Sequence, residues 1–252
     1  MMFVSKANLP GSAALVLLGE KYCGALKKPL ENLGLKVLAV PENKAVDPRL
    51  SSHADLSVVH TGGAGIYLAE FLKGSELEFE LRRLGFKVEY PNISFGCNYP
   101  FDCAMNICCV GDNAIFCDKT ASADIVEKLK QRGYKPILCN QGYTKCLISV
   151  VSENSIICSD KGISSACREK GIEVLEISQG NIELEGFEYG FIGGSSFKLS
   201  ESKLVFTGLL DSHPDRYRIL DFLDAKGIKP VFLTEKCIFD VGSILPIMEK
   251  QR

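Results

Sequence analysis

The stretch LKQRGYKPILC, Leu129 to Cys139, reads as the end of an amphipathic helix, a glycine, and a short apolar strand. The same phrase occurs at LENLGLKVLAV (Leu30 to Val40), LRRLGFKVEYP (Leu81 to Pro91), REKGIEVLEI (Arg168 to Ile177) and LDAKGIKPVFL (Leu223 to Leu233). Gly34, Gly85, Gly133, Gly171 and Gly227 each stand where a helix C-terminus needs a left-handed residue, which glycine adopts without steric cost. Five copies at this spacing mean one supersecondary unit repeated around an axis or along a stack.

Outward from each phrase lies a preceding segment of two short strands joined by a turn. HADLSVVHTGGAGIYLA from His53 falls over DCAMNICCVGDNAIFCD from Asp102 with one constant offset. That register matches Gly62 with Gly111, Ile66 with Ile115 and Tyr67 with Phe116; YTKCLISVVSENSIICSD from Tyr143 follows with Ile156 opposite Ile115. FIGGSSFKLSESKLVFTG from Phe191 is a fourth copy. A fifth, FDVGSILPI from Phe239, runs off the C-terminus, and the N-terminal AALVLLGE, helix and LKVLAV supply its missing parts. Complementary chain ends are expected of a closed ring, whereas the end repeats of an open solenoid carry polar caps. The sequence therefore predicts one α/β domain over residues 1–252, a pseudo-symmetric propeller of five strand-strand-helix-strand units sealed by both termini. Ser122 is the expected cap of the helix ending at Gly133. Ser212, with Pro214 in the first turn, is the expected cap of the last long helix.

Composition bounds the function. Of 252 residues, 46% are hydrophobic, enough for a sizeable core, and the formal net charge of −2 gives no electrostatic case for nucleic acid or an anionic membrane. No apolar run approaches the ~20 residues of a membrane-spanning helix. Eleven cysteines, an odd number without paired zinc spacing, argue for a reducing, cytoplasmic setting in which most thiols are small buried hydrophobes. Cys103, Cys108, Cys109, Cys117 and Cys158 read as core residues in strands, with Cys103 the alternative nucleophile. Gly62-Gly63-Ala64-Gly65 lacks the residues of a phosphate loop and reads as a hairpin turn. His60 reads as a turn residue and His213 as a surface one.

In a ring, the ends of the first strands converge on one axial pocket. Those positions hold His53 and Asp55, Asp102, Cys146, Gly193-Gly194-Ser195, and Asp240. Asp55 follows His53 at the spacing that returns to one strand face.

This set of a thiol, an imidazole and carboxylates resembles the pentein superfamily of guanidino-group-modifying enzymes: deiminases, dimethylarginine hydrolases and amidinotransferases. His53-Ala54-Asp55 is similar to their His-x-Asp motif, Gln141 to Leu147 to the glycine-rich segment with the nucleophilic cysteine, and Phe239 to Ser243 to the acidic segment. The resemblance implies Cys146 as nucleophile, His53 as acid/base, Asp240 as a catalytic carboxylate that pairs with the histidine or with the substrate cation, and Asp55, Asp102 and the position of Gly194 as the substrate-cation site. It implies a small guanidino or amidine substrate and no cofactor or metal. Unit order is rotated relative to the deiminases while cyclic order is kept, as in a circular permutation. The chain departs from the family in having Gly194 where a carboxylate is expected, and Asp-Val-Gly in the acidic segment. Chemically, a guanidinium carbon is a poor electrophile, so a thiolate is needed. Lys145 or a protonated His53 is the expected source of a lowered Cys146 pKa. The competing expectation is a catalytically degenerate ring that binds a small ligand or macromolecule, favoured by Gly194 and by few long loops.

Overall fold

Glycine punctuates the fold as the repeat requires. In the computed structural model, which describes residues 1–251, Gly34, Gly85, Gly133, Gly171 and Gly227 all have φ between +65° and +92°. Each ends a helix and turns the chain into a strand. The elements in chain order are β1 (Met2–Phe3), β2 (Ala13–Gly19), α1 (Cys23–Asn32), β3 (Lys36–Val40), β4 (Val58–His60), β5 (Gly65–Leu68), α2 (Glu76–Arg83) and β6 (Lys87–Glu89). There follow β7 (Cys108–Val110), β8 (Asn113–Phe116), α3 (Ala123–Gln131), β9 (Lys135–Leu138), α4 (Thr144–Leu147), β10 (Ile148–Ser152), β11 (Ser155–Cys158), α5 (Lys161–Glu169) and β12 (Glu173–Glu176). The last are β13 (Ser196–Ser200), β14 (Lys203–Phe206), α6 (Arg216–Asp224), β15 (Lys229–Phe232) and β16 (Leu245–Glu249).

The strands form five small sheets. In β4-β5-β6, β7-β8-β9, β10-β11-β12 and β13-β14-β15 the first pair is antiparallel and the second parallel, the parallel strand being reached through a helix. The fifth sheet joins the termini: β16 lies antiparallel to β2, and β2 parallel to β3, with β1 on the outer edge of β16.

Five apolar clusters fill the spaces between sheets. Leu15, Leu17 and Ile247 pack with Ile66 and Leu68; Val59 and Tyr67 with Ala114 and Phe116; Cys108 and Ile115 with Ile148 and Ile156. Val151 and Ile157 pack with Leu204 and Phe206, and Phe197 and Val205 with Val16 and Leu18. Each sheet thus packs on the next through alternate residues of its strands.

Four local expectations are corrected. The second-strand register slips by one: Gly65, Asn113 and Ser155 are equivalent by their parallel partners, so Ile66 and Ile156 correspond to Ala114, and Ile115 to Tyr67 and Ile157. A one-residue slip reverses faces, and Ile115 accordingly packs toward the next sheet. Second, α6 begins at Arg216 with Asp215, not Ser212, at its N-cap, and Ser122 caps α3 by position without a side-chain bond. Third, His213 is buried, its Nδ1 accepting from the Asp215 N–H at 3.1 Å, and His60 is buried at the end of β4 with Nε2 2.9 Å from the Gly63 carbonyl. Fourth, two long stretches, 90–107 and 177–195, carry no helix or strand, so long loops are present. Cys103 lies in the first of them rather than in a strand, though it is buried as expected.

Candidate functional site

Residues just ahead of β4, β7, β10, β13 and β16 come into contact with one another. His53 and Asp55 do not alternate along a strand: Ala54–Leu56 is a single 3-10 turn and β4 begins at Val58. The turn brings the two side chains together by a different geometry from the one the spacing suggested. Cys146 lies in the one-turn helix α4, ahead of β10. Asp102 and Asn106 close the 90–107 loop, Gly193 and Gly194 precede β13, and Asp240 to Ser243 precede β16.

One donor atom each of His53, Asp55 and Cys146 lies within 4.8 Å of the others, and all three residues are buried. The Cys146 Sγ–H donates to Asp55 Oδ2 at 3.1 Å, and Sγ accepts from Asn106 Nδ2 at 3.1 Å. Asn106 Oδ1 takes the backbone N–H groups of Lys145 (2.7 Å) and Cys146 (3.3 Å), which fixes the turn carrying the thiol. Ser243 Oγ donates to Asp55 Oδ2 at 2.6 Å. The buried His53 Nε2 and Asp55 Oδ1 have no hydrogen-bond partner among the described residues. The same N, O and S atoms offer three ligands of the kind a zinc ion takes, so the cluster can hold a metal as well as a proton.

Asp240 and Gly194 explain each other. Asp240 Oδ2 accepts from the Phe191 N–H and Oδ1 from the Gly242 N–H, both at 2.8 Å. A Cβ built on Gly194 would lie 1.9 Å from Asp240 Oδ1. The carboxylate from one unit therefore occupies the space of a side chain on its neighbour. Gly194 itself donates its N–H to the Cys146 carbonyl at 2.9 Å, and its carbonyl accepts from Val241 and Ser243. Its backbone is thus spent within the protein. Gly242, at φ +64°, allows a similar approach, since a Cβ there would overlap His53. Asp102 stands apart from this group: its Oδ2 accepts from the Tyr143 hydroxyl at 2.6 Å and its Oδ1 is buried without a partner among the described residues.

The electrostatics correct one expectation. Burial, then Asp55 and Asp240, push the Cys146 thiol well above its ordinary range, so it rests protonated. Burial pushes His53 down to about 4 despite the pull of Asp55, so it rests neutral and supplies no cation. Lys145 Nζ bonds Ser243 Oγ at 3.0 Å rather than the thiol. Burial raises Asp240 to about 6, against the two N–H donors and Lys145. Aromatic rings flank these groups. Tyr22 lies 6.3 Å from His53 between centroids, and Tyr99, Tyr143, Phe191 and Tyr189 form a continuous row with spacings of 5.5 to 6.3 Å.

The sequence reading did not select Asn106 or Ser243. Their signal was weak: each is a polar residue set among apolar neighbours just before a first strand, at Met105-Asn106-Ile107 and Ser243-Ile244.

Residues 18–245 match a family of unknown function, DUF6873, and the chain belongs to it. No curated protein matches the sequence. Among solved structures, SxtG, an amidinotransferase of the saxitoxin biosynthetic pathway from Microseira wollei, superposes with a TM-score of 0.61 at 10% identity, covering 99% of this chain and 98% of that one. DDAH from Pseudomonas aeruginosa, solved with citrulline, gives 0.56 at 11% identity over 88% and 92%. An agmatine deiminase from C. jejuni gives 0.54 at 10% identity over 99% and 97%. These are pentein-superfamily proteins, and the chain has their α/β fold of several small sheets.

Proposed function

We propose, for this member of a family of unknown function built on the pentein fold, a cysteine-dependent hydrolase or amidinotransferase acting on a small guanidino or amidine compound. The observation that carries the reading is the buried cluster of Cys146, His53 and Asp55, with Asp240 acting on the same thiol. The chain is read as a single domain over 1–252, a five-bladed ring closed through the β16–β2 pair and rotated in unit order relative to the deiminases. A ring of similar units superposes nearly end to end in any rotation, so the coverage of the solved relatives is compatible with that permutation. The reducing, cytoplasmic setting drawn from the cysteine usage belongs to the same proposal.

The chemistry follows from the charges. At rest burial, and after it the two carboxylates, hold the thiol protonated. A guanidinium set between Asp55 and Asp240 offsets both, and the planar cation suits both carboxylate pairs and aromatic faces. The Cys146 proton then passes to His53, and the sulfur attacks the guanidinium carbon. The carbon–nitrogen bond breaks as His53 returns that proton to the leaving amine, leaving a thiouronium on Cys146. In a hydrolase, water loses a proton to His53 and displaces the sulfur, giving the ureido product. In a transferase an amine replaces the water. Asp102, held by Tyr143, is read as an outlying part of the cation site, and Gly194 as the opening that admits the Asp240 carboxylate.

A second reading, a degenerate ring that binds without turnover, is favoured by the protonated resting thiol. Brief exposure to a haloacetamidine at neutral pH, followed by peptide mapping, separates the two. The enzyme reading expects modification confined to Cys146 and lost in His53→Ala and Asp55→Ala, with ureido or amidino-transfer products from guanidino compounds. Slow labelling spread over several of the eleven cysteines supports the binding reading.

A further inference from the structure

The first strands lead away from the Cys146 cluster to the opposite face of the ring, and that face holds a cavity of about 1280 Å³. Its wall is built from the far ends of β10, β13 and β16 and from residues between Ser5 and Ser12. The N-terminal segment is tied to three units there: the Val4 N–H donates to the Ile247 carbonyl at 3.1 Å, Asn8 Nδ2 to the Cys109 carbonyl at 3.0 Å, and Ser12 pairs with Ser200. The five residues of β10 put about 13 Å of strand between this cavity and the turn carrying Cys146. The volume is ample for a small molecule, since such pockets run to about 300–1,000 Å³.

One side chain on the wall is out of keeping with its place in the repeat. Lys198 on β13 pairs with Leu204, and the same register position in the other units holds His60, Cys109, Val150 and Pro246. None of those four carries a charge, His60 being held neutral by burial. Lys198 is only 3% exposed. Its Nζ donates to the Glu201 carbonyl, in the hairpin of its own unit, at 2.9 Å. An ammonium has three donors, and among the described residues no second acceptor lies within hydrogen-bond distance of it. Two nearby carboxylates are engaged elsewhere: Glu153 holds Lys6 at 2.9 Å, and Glu249 Oε2 accepts the Gly11 N–H at 2.6 Å. Burial outweighs the pull of Glu201 and lowers Lys198 to about 8, which frees a lone pair on nitrogen near neutral pH.

Desolvated lysines are the amines that form imines with carbonyl compounds. The charged groups facing the cavity are Lys6, Lys198 and Lys250 against Glu153, Glu201 and Glu249. They come from the N-terminal segment, from β13 and its hairpin, from the β10–β11 turn and from the end of β16. Equal numbers of each sign leave no field that draws in an ion, which favours an uncharged occupant.

We propose that this cavity is a second site, taking a small uncharged aldehyde that Lys198 holds as an imine. The amine nitrogen attacks the carbonyl carbon, a proton passes from nitrogen to oxygen, and the carbinolamine loses water to leave a carbon–nitrogen double bond. Nothing is oxidised or reduced, and water reverses the step. The site does not involve Cys146, so it stands whether or not the guanidino reading does.

The test is reductive trapping on the full chain, with propanal and cyanoborohydride at pH 7, followed over time by peptide mapping. An amine titrating near 8 is about one-eleventh neutral at pH 7, against about one part in 2,500 for an ordinary lysine at 10.4. Lower basicity and restricted access reduce that advantage, and Lys198 is expected to label at least tenfold faster than the exposed Lys44 and Lys119. Lys198→Met should lose the fast label and leave the rates at Lys44 and Lys119 unchanged. If Lys198 serves only to bond the Glu201 carbonyl, it labels no faster than Lys44 and Lys119 in the wild-type chain, and the proposal falls. Fast labelling by formaldehyde but not by propanal also overturns it, because that pattern shows a reactive amine that no cavity serves.

Discussion

The absence of a carboxylate at position 194 is the sharpest departure from the pentein pattern, and it yields the most decisive test. If Gly194 were simply a lost carboxylate, Gly194→Asp would restore a cation clamp. The structure predicts the opposite. A Cβ at 194 falls 1.9 Å from Asp240 Oδ1, 2.5 Å from its Cγ and 2.7 Å from Oδ2. Nonbonded atoms settle at ~3.5 Å or more, so the carboxylate must retreat by over ~1 Å. That movement breaks the 2.8 Å bonds from the Phe191 and Gly242 N–H groups. Each bond to a charged group contributes about 1.5–3 kcal/mol, and buried overpacking alone costs about 1–3 kcal/mol. The carboxyl can relieve part of this by taking a proton, as its raised pKa allows, so the expected loss for Gly194→Ala is about 3 kcal/mol. Urea unfolding followed by far-UV circular dichroism measures it, with the m-value checked for constancy. Gly194→Asp should lose at least as much and show no gain in Cys146 labelling by a haloacetamidine. A Gly194→Ala protein within about 0.5 kcal/mol of wild type would refute the close-approach argument, as would a Gly194→Asp protein with increased labelling.

Acid should destabilise the fold through the buried histidines. His60 is held near 4 by burial, below its ordinary 6.5, so the stability it contributes is present above about 6.5 and is lost as pH falls toward 4. His60→Gln should flatten the pH dependence in that window by about 1.4 kcal/mol per pH unit, measured by urea unfolding at successive pH values. Asp240 runs the other way: its acid pKa is raised to about 6, so its contribution is present below about 3.8 and is lost as pH rises through 6. Tyr143→Phe removes the hydroxyl donor to Asp102 Oδ2 and should cost about 1–3 kcal/mol in urea unfolding, most of it recovered in the Tyr143→Phe, Asp102→Asn double variant. Asn106→Ala removes the acceptor of two backbone N–H groups and the donor to Cys146, and should cost about 2 kcal/mol or more and slow Cys146 alkylation, since Asn106 favours the thiolate.

The sequence by itself determined the repeated unit. Each helix-glycine-strand phrase is local: the glycine φ, the amphipathic helix and the apolar strand depend on residues a few positions apart, and all five occur where the phrase places them. The pairing of the two chain ends was also legible, because a missing strand leaves a recognisable gap in a periodic pattern. Most of the residues that meet at the site were legible for the same reason, since repeats mark equivalent positions. The tertiary structure alone decided what those residues do to one another. A one-residue difference in hairpin length moved Ile115 to the opposite face, a slip that apolar matching cannot detect. The His53–Asp55 approach came from a 3-10 turn that strand spacing did not suggest. Asp240 filling the space at Gly194, and Lys145 bonding Ser243 rather than the thiol, depend on distances between units far apart in the chain. The ionisation of Cys146 follows burial and the summed field of neighbouring carboxylates, and neither is a property of its sequence neighbours.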